Sequence, residues 1–328
     1  MTESAQAEAA APHAVATGRR VGDARTPEER RVEEAIAAIA EWRSAEVSFC
    51  PVSGGISNSN WRIDVVGDPV AYFLKIPGEG SEEYIDRVNS HEAARRAGAM
   101  GIGPRVVHVD SETGVEVIEF LEGYRACTNA DLKNIDIARR IIGRHREFQA
   151  SGLLPHTKTV FDTIDGYVQQ IHTLGVRLPN FAGRVLAEYA SARDAFMASG
   201  LDIVPCHNDP MPGNFLVAEG RPLRMIDFEF AANNERAYEL AVMTTEFFYD
   251  EPTLLACVEE LYGETSWKTV ARVRVAGAMA DVNWGLWAFL KRQYDTSTFD
   301  YYKYGAWKLD RARATMNDVR WGQWLHSL

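Results

Sequence analysis

The chain has 328 residues, of which 46% are hydrophobic and 25% are charged, with 35 basic against 46 acidic side chains. This composition is typical of a globular protein long enough for two lobes, and it excludes a disordered or fibrous chain. The net charge of -11, without any run of Lys and Arg, argues against a nucleic-acid partner, whose phosphates need a basic surface.

The first 25 residues are predicted to form a flexible tail. The segment MTESAQAEAAAPHAVATGRR is interrupted by Glu, Pro and His, so we expect no signal peptide. No window approaches the roughly 18 to 20 apolar residues of a membrane span, so we expect no membrane insertion. The four cysteines are far apart and form no zinc-site spacing. We therefore expect a cytoplasmic protein with reduced thiols.

A β-rich amino lobe is predicted over residues 26–120. Thr26-Pro27-Glu28-Glu29 combines a capping hydroxyl, a proline at the first helical position and a glutamate three residues on, which predicts the start of a helix. The following alternation of short apolar runs with Gly and Pro predicts strands around one helix, with an antiparallel meander at the beginning. The predicted strands are 46–52, 61–66, 70–76, 105–109 and 115–120, and the helix is 81–99.

Four features of this lobe are candidates for nucleotide binding. Ser57 and Asn58 end the glycine-containing loop SGGISN, whose backbone amides could approach phosphates, although such a loop is also an ordinary turn. Lys75 lies in an apolar strand, where its charge is explained either by an ion pair with Glu92 of the next helix or by an exposed edge strand. The connector VIEFLEG, which includes Glu119, is where adenine is expected to stack.

The carboxyl lobe, residues 121–328, is predicted to be mostly helical. Long segments with helical periodicity follow Gly123. Together, the two segments predict an α+β fold with two lobes. The predicted helices are 131–150, 162–175, 182–199, 234–249, 252–262, 267–293 and 301–318.

The stretch CHNDPMPGNFLVAEGRPLRMIDFEF, residues 206–230, interrupts these helices with a polar loop and a predicted hairpin. Asn214 and Asp227 lie symmetrically about the hairpin turn, so pairing of the strands brings them together, at about 4.5 to 5.5 Å between opposed Cα atoms. An amide oxygen and a carboxylate at this distance can bind one Mg²⁺ that also holds substrate phosphates.

Asp209 lies five residues before Asn214, which is the Asp-x-x-x-x-Asn spacing of a kinase catalytic loop. In that loop the aspartate accepts the proton of the substrate hydroxyl and the asparagine binds metal. Each of these residue types is by itself common in turns. Their joint occurrence with Asp227 predicts an Mg-ATP-dependent kinase with Asp209, Asn214 and Asp227 as catalytic residues.

Aromatic residues recur near the carboxyl end of the chain. Trp284 and Trp287 are three residues apart and therefore lie on one face of the predicted helix. Tyr301 follows in the run FDYY. Tryptophans at this spacing are compatible with core packing as well as with a ligand pocket.

Residues 48–318 resemble the choline/ethanolamine kinase family, a branch of the protein-kinase-like fold shared with aminoglycoside phosphotransferases. HNDPMPGNFL is similar to the family's His-Asn-Asp-x-x-x-x-Asn motif, where aminoglycoside enzymes usually have His-Gly-Asp, and IDFEF is similar to its Ile-Asp-Phe/Trp-Glu-Tyr. The resemblance implies ATP and Mg²⁺ as cofactors. It also implies Asp209 as the base, Asn214 and Asp227 as metal ligands and Glu229 as a support of the metal site, while Lys75 replaces the usual arginine.

The same resemblance implies a pocket for the acceptor. The family has a similar Trp-Gly-Leu-Trp and a later Asp-Tyr that enclose a quaternary ammonium group, and such rings attract cations by about 0.5 to 2 kcal/mol each. Trp284, Trp287 and Tyr301 correspond to these rings. Glu246 matches an acidic pocket residue, and Tyr249 begins Tyr-Asp-Glu where the family often has Tyr-Asp-Tyr. Asp209 would face the acceptor hydroxyl.

We therefore expect a kinase that phosphorylates the hydroxyl of an amino alcohol, choline or ethanolamine. The alternatives are a kinase for another small hydroxylated amine, of the aminoglycoside, thiamine or 1-amino-2-propanol type, or a non-catalytic kinase-like binding module. The chain's oligomeric state stays open between a monomer and a homodimer.

Overall fold

The computed structural model describes residues 18–53, 58–78, 85–295 and 298–328. They form two compact units, one drawn from the described residues of 18–78 and 105–122, the other from those of 85–104 and 123–328. Among these described residues, no helix has both the length and the apolar character required to cross a bilayer.

The first unit is an antiparallel sheet packed against one helix. The helix α1 spans Pro27–Ala38, and its predicted capping box is confirmed, with Thr26 and Glu29 exchanging hydrogen bonds of 3.1 Å. Its apolar face joins buried side chains of the sheet in one core. The strands run in the order β1-β2-β3-β4-β6-β5, which confirms the predicted meander. They are β1 Arg19–Arg20, β2 Val47–Pro51, β3 Asn58–Val65, β4 Tyr72–Pro77, β5 Val106–Val109 and β6 Glu116–Glu119.

Strand β1 lies within the segment that was predicted to be a flexible tail. Arg19 and Arg20 pair with Phe49 and Ser48 of β2. The Arg19 guanidinium also forms an ion pair of 2.9 Å with Glu29 of α1. The prediction of a tail up to residue 25 was therefore wrong for these residues, because backbone pairing to a sheet edge has no sequence periodicity in so short a strand.

The second unit consists mainly of helices, with two small antiparallel sheets of order β10-β9-β7 and β11-β8. Helix α9 is almost entirely buried and packs against α5, α7 and α10. The helices are α2 Arg87–Ala99, α3 Asn129–Leu132, α4 Ile135–Gln149, α5 Val160–Leu174, α6 Ala182–Ser199, α7 Arg236–Glu246, α8 Glu251–Tyr262, α9 Trp267–Lys291, α10 Tyr301–Met316 and α11 Trp321–His326. The strands are β7 Arg125–Ala126, β8 Ile203–Cys206, β9 Phe215–Val217, β10 Arg224–Met225 and β11 Ala232–Glu235.

Helix α2 belongs to this second unit, although the sequence had assigned it to the amino lobe. Asn89 of α2 exchanges two hydrogen bonds with the backbone of His156, at 2.8 and 2.9 Å. The carboxylate of Asp86, which caps α2, lies 2.7 Å from the imidazole of His156. These long-range polar contacts decide the grouping, and a helical pattern does not reveal them.

The helix predicted over residues 131–150 is interrupted. The first part ends at Leu132 with Lys133 as its C-cap, and Asn134 caps α4, since its side chain accepts the amide hydrogen of Asp136 at 2.9 Å. Side-chain capping of this kind competes with continued helix and explains the break.

Candidate active site

The segment that contains Asp209 is held by a buried glutamate of α7. The carboxylate of Glu239 accepts the backbone amides of His207 and Asn208, at 2.5 and 3.1 Å. Glu239 is 1% exposed. Burial raises its pKa, while the neighbouring His207 and the backbone amide donors oppose that shift. The carboxylate therefore fixes the two residues that precede Asp209.

The side chains of His207 and Asn208 strengthen this arrangement. The Nδ1 atom of His207 accepts the amide hydrogen of Asp209 at 3.3 Å, and its Nε2 donates to the carbonyl of Ile226 at 2.8 Å. Burial lowers the pKa of His207, so the neutral imidazole can both accept and donate. Asn208 has a left-handed backbone, with φ 67, and donates to the carbonyl of Phe230 at 2.8 Å.

Asp209 and Asn214 are in direct contact, as the Asp-x-x-x-x-Asn spacing predicts. The amide nitrogen of Asn214 donates to the backbone carbonyl and to the Oδ2 of Asp209, both at 2.9 Å. A short 3-10 helix, Pro212–Asn214, returns the chain to bring them together. The second oxygen of the Asp209 carboxylate forms no hydrogen bond with the part of the chain that the structure describes.

The hairpin after Asn214 forms, but its register differs by one residue from the prediction. Phe215 pairs with Met225, and the amide of Ile226 donates to the carbonyl of Asn214 at 2.9 Å. Asn214 is therefore opposite Ile226, and the predicted opposition of Asn214 and Asp227 was wrong. Asp227 follows with φ 63, a left-handed conformation that turns the chain out of the ladder. The register depends on the loop conformation, which the symmetry of the sequence does not fix.

Several carboxylates lie close enough to Asp209 to shift its pKa. Desolvation raises the pKa of Asp209 to about 7, the charge of Asp227 adds to the shift, and the charges of Glu229 and Glu246 contribute further. The hydrogen bond from Asn214 opposes this shift. Carboxylates gathered around one site in this way favour binding of a cation.

The predicted metal ligands suit Mg²⁺ that is shared with a nucleotide. Asn214, Asp227 and Glu229 offer two carboxylates and one amide oxygen, and Mg²⁺ usually takes one or two protein carboxylates together with phosphate and water. In the described residues, no group of three or more His, Cys, Asp and Glu side chains could hold a metal by itself. The ligand assignment stays a prediction.

The described residues predicted to bind the nucleotide have other partners within each unit, and their nucleotide roles stay predictions. The ammonium of Lys75 lies 3.8 Å from Glu116 on the neighbouring strand, and the carboxylate of Glu92 lies 2.9 Å from Arg96 on its own helix. Asn58 and Glu119 lie on β3 and β6, while Ser57 lies outside the described residues. The predicted Lys75–Glu92 pair joins the two units and stays a prediction.

Three of the predicted acceptor-pocket residues form one aromatic cluster. The ring centroids of Trp284 and Trp287 are 5.5 Å apart, and those of Trp287 and Tyr301 are 5.8 Å apart. Phe230, from the run that follows Asp227, lies edge-on to Trp284 at 5.6 Å. The cluster therefore connects α9 and α10 with the segment that carries Glu229.

The two other predicted pocket residues already have partners in the protein. The carboxylate of Glu246 accepts hydrogen bonds from the buried ammonium of Lys308 and, at 2.9 Å, from Arg311. Arg311 also binds Asp281 at 2.5 Å. The hydroxyl of Tyr249 donates to the backbone carbonyl of Leu132. Neither side chain joins the aromatic cluster through a ring contact of the described residues.

Sequence reasoning missed several residues that shape the site. Glu239 is a single glutamate in a helix, and only its position 30 residues after Asp209 could have drawn attention to it. Lys308 and Arg311 follow the FDYY run at i, i+3 spacing, which could have indicated cations on one helix face. Their partner Glu246 is too distant in sequence to be paired with them by spacing.

Comparison with known proteins gives consistent matches. The family model described as choline/ethanolamine kinase matches residues 49–270. Protein LicA of Haemophilus influenzae is 23% identical over 260 residues, which are 76% of this chain and 75% of that protein. The mouse choline/ethanolamine kinase is 28% identical over 234 residues, which are 64% of this chain and only 58% of that protein. A choline/ethanolamine kinase family protein from Mesorhizobium loti superposes with a TM-score of 0.78 at 26% identity, covering 92% of this chain and 98% of that one.

Proposed function

The chain belongs to the choline/ethanolamine kinase family, and we propose that it transfers the γ-phosphoryl group of ATP to the hydroxyl of an amino alcohol, choline or ethanolamine. The observation that carries this proposal is the rigid placement of Asp209. Its carboxylate is bonded to Asn214, and its backbone is fixed by His207. We expect the reaction in the cytoplasm, where the four free cysteines would stay reduced.

Asp209 acts as the general base. One carboxylate oxygen accepts the amide of Asn214, and the other is available to the hydroxyl proton of the acceptor. Without bound Mg²⁺, burial raises the pKa of Asp209, and a base is most effective when its pKa lies near the pH at which it works. The acceptor oxygen then attacks the γ-phosphorus in line as its proton moves to Asp209, the bond from the γ-phosphorus to the β,γ-bridging oxygen breaks, and ADP leaves.

Asn214 and Asp227, supported by Glu229, would hold Mg²⁺. When bound, this ion supplies neutralisation of the charge on the phosphates during transfer. Glu239 and His207 both bind the backbone of the loop that carries Asp209. They therefore keep this loop in place when the carboxylates of the site are charged. Positioning of this kind accounts for much of the rate in phosphoryl transfer.

The proposal is tested by Mg-ATP consumption with a panel of acceptors. We expect turnover with choline or ethanolamine, and none with an aminoglycoside or thiamine. Asp209→Asn should lose at least about a thousandfold in kcat, because the base is removed while the shape is kept. The exposed Asp194→Asn is the matched control, and its activity should equal that of the wild type.

Two results would contradict the proposal. Failure of both amino alcohols to stimulate ATP consumption, with turnover of an aminoglycoside, thiamine or 1-amino-2-propanol, would assign a different acceptor. Full activity of Asp209→Asn would remove the proposed base.

A further inference from the structure

A small cavity lies inside the second unit, next to the catalytic loop. It has a volume of about 70 Å³. Its lining includes Asn208, which precedes Asp209, as well as Glu229, Tyr238, Asn283 and Trp284. For comparison, a cavity of about 150 Å³ holds benzene. The space therefore suits a small head group rather than a bulky one.

Asn283 brings an unused hydrogen-bond acceptor to this cavity. The residue is 8% exposed, and its amide nitrogen donates to the hydroxyl of Tyr238 at 3.1 Å. Its Oδ1 atom is buried and accepts no hydrogen bond from any residue that the structure describes. Buried side-chain oxygens nearly always have a donor. A ligand that carries an N–H group would supply it.

The acidic residue that was expected to receive the acceptor's cation is already neutralised. Glu246 and Asp281 are bound to Lys308 and Arg311, so the four charges sum to zero. The side chains of Lys308 and Asp281 are 0% and 1% exposed, which leaves a further cation little room. Glu246 is therefore not available to meet the charge of the acceptor, whereas Trp284 in the cavity lining is a ring that attracts a cation.

We infer that Asn283 determines which kind of ammonium group the acceptor site prefers. It selects an ammonium group that still carries N–H hydrogens, as in ethanolamine, over a trimethylammonium group. This inference rests on the proposed function and narrows its substrate. The face of Trp284 attracts either cation, so the ring does not distinguish them. An amide oxygen distinguishes them, because it accepts from N–H but gains nothing from a methyl group and loses its contact with other donors.

The decisive experiment compares four acceptors that lose one N–H hydrogen at a time. They are ethanolamine, N-methylethanolamine, N,N-dimethylethanolamine and choline, all of which are cationic at neutral pH. For the wild type we expect kcat/KM to fall by about tenfold or more in total, with the largest step between N,N-dimethylethanolamine and choline, where the last N–H and its charged hydrogen bond are lost.

The variant Asn283→Leu should remove this preference. We expect its kcat/KM for ethanolamine to fall about tenfold to a hundredfold, while the value for choline changes by less than about threefold. Met279→Leu, a buried apolar exchange one turn earlier in α9, is the control for repacking and should leave the ratio unchanged. Melting temperatures of both variants report whether they are folded.

The outcomes separate this inference from the proposed function. Turnover that is independent of methylation, or a wild type that prefers choline, would overturn the role of Asn283 and leave the kinase assignment standing. The same conclusion follows if a folded Asn283→Leu keeps the wild-type ratio. If that variant does not fold, the wild-type series decides alone. Absence of turnover with all four acceptors would overturn the proposed function and, with it, the inference.

Discussion

The anchoring of the catalytic loop by Glu239 gives a prediction with a calculable size. In Glu239→Gln the side chain keeps one acceptor oxygen but turns an amide NH₂ toward a backbone N–H. One of the two hydrogen bonds to His207 and Asn208 is therefore lost. A hydrogen bond to a charged group contributes about 1.5 to 3 kcal/mol, so we expect the free energy of unfolding to fall by about that amount.

The same change should slow catalysis more than it weakens binding. Asp209 follows directly after the two anchored residues, and a shift of about 1 Å in a reacting group can cost about a hundredfold in rate. We expect kcat to fall about tenfold to a hundredfold for Glu239→Gln, with KM for Mg-ATP changing by less than about threefold. Urea denaturation and steady-state kinetics measure the two effects.

Glu259→Gln is the control for this experiment, since Glu259 is exposed on α8 and should be replaceable without effect. The reasoning is refuted if Glu239→Gln matches the control both in unfolding free energy, within about 0.5 kcal/mol, and in kcat. A loss of stability without a loss of kcat would show that Glu239 supports the fold but does not position Asp209.

Three further perturbations follow from buried charge and from close packing. In metal-free protein with EDTA, Asp209→Asn should be more stable than the wild type at pH 8, and the difference should shrink toward pH 4. The pKa of Asp209 is raised to about 7 in the folded state, so the wild type loses stability as the pH rises from the pKa of the unfolded state to about 7. Equal melting temperatures at pH 8 would contradict this. Arg272→Met leaves the buried Glu235 carboxylate without its 2.8 Å partner, so the free energy of unfolding measured with urea should fall by about 3 to 5 kcal/mol. The double variant Arg272→Met, Glu235→Gln should recover part of this loss, and no recovery would argue against charge burial as the cause. Gly305→Ala places a Cβ atom 2.8 Å from a ring carbon of Phe289 and should cost about 1 to 3 kcal/mol, whereas Gly143→Ala in α4, with nothing within 4 Å, should stabilise by up to about 1 kcal/mol; melting curves that show the same shift for both would refute the packing argument.

Local signals in the sequence predicted those parts of the molecule that local chemistry decides. The capping box at Thr26 places the start of α1, because its hydrogen bonds join residues three apart. The contact of Asp209 with Asn214 is likewise set within six residues. The pair Trp284 and Trp287 meets because helical geometry brings residues three apart onto one face.

The remaining features of the fold and the site depend on long-range contacts, and the sequence carried no signal for those contacts. The anchor at Glu239 and the neutralisation of Glu246 by Lys308 both join residues more than 30 positions apart. The hairpin register moved by one residue because the loop after Val217, not the symmetry of the flanking strands, fixes which residues face each other. The grouping of α2 with the second unit depends on contacts that are equally remote in sequence.

The left-handed backbone at position 208 limits how this loop can diverge during evolution. Glycine adopts such a conformation without penalty and asparagine does so at small cost, while β-branched residues do not. Asn208 and a glycine at the same position would therefore both meet this conformational requirement. Asparagine adds bonds that glycine lacks, to the carbonyl of Phe230 and to the amide of Asn234. A lineage that exchanges Asn208 for glycine keeps the bend but leaves the carbonyl of Phe230 and the side-chain amide of Asn234 without these hydrogen bonds. Changes at positions 208 and 234 should therefore arise together.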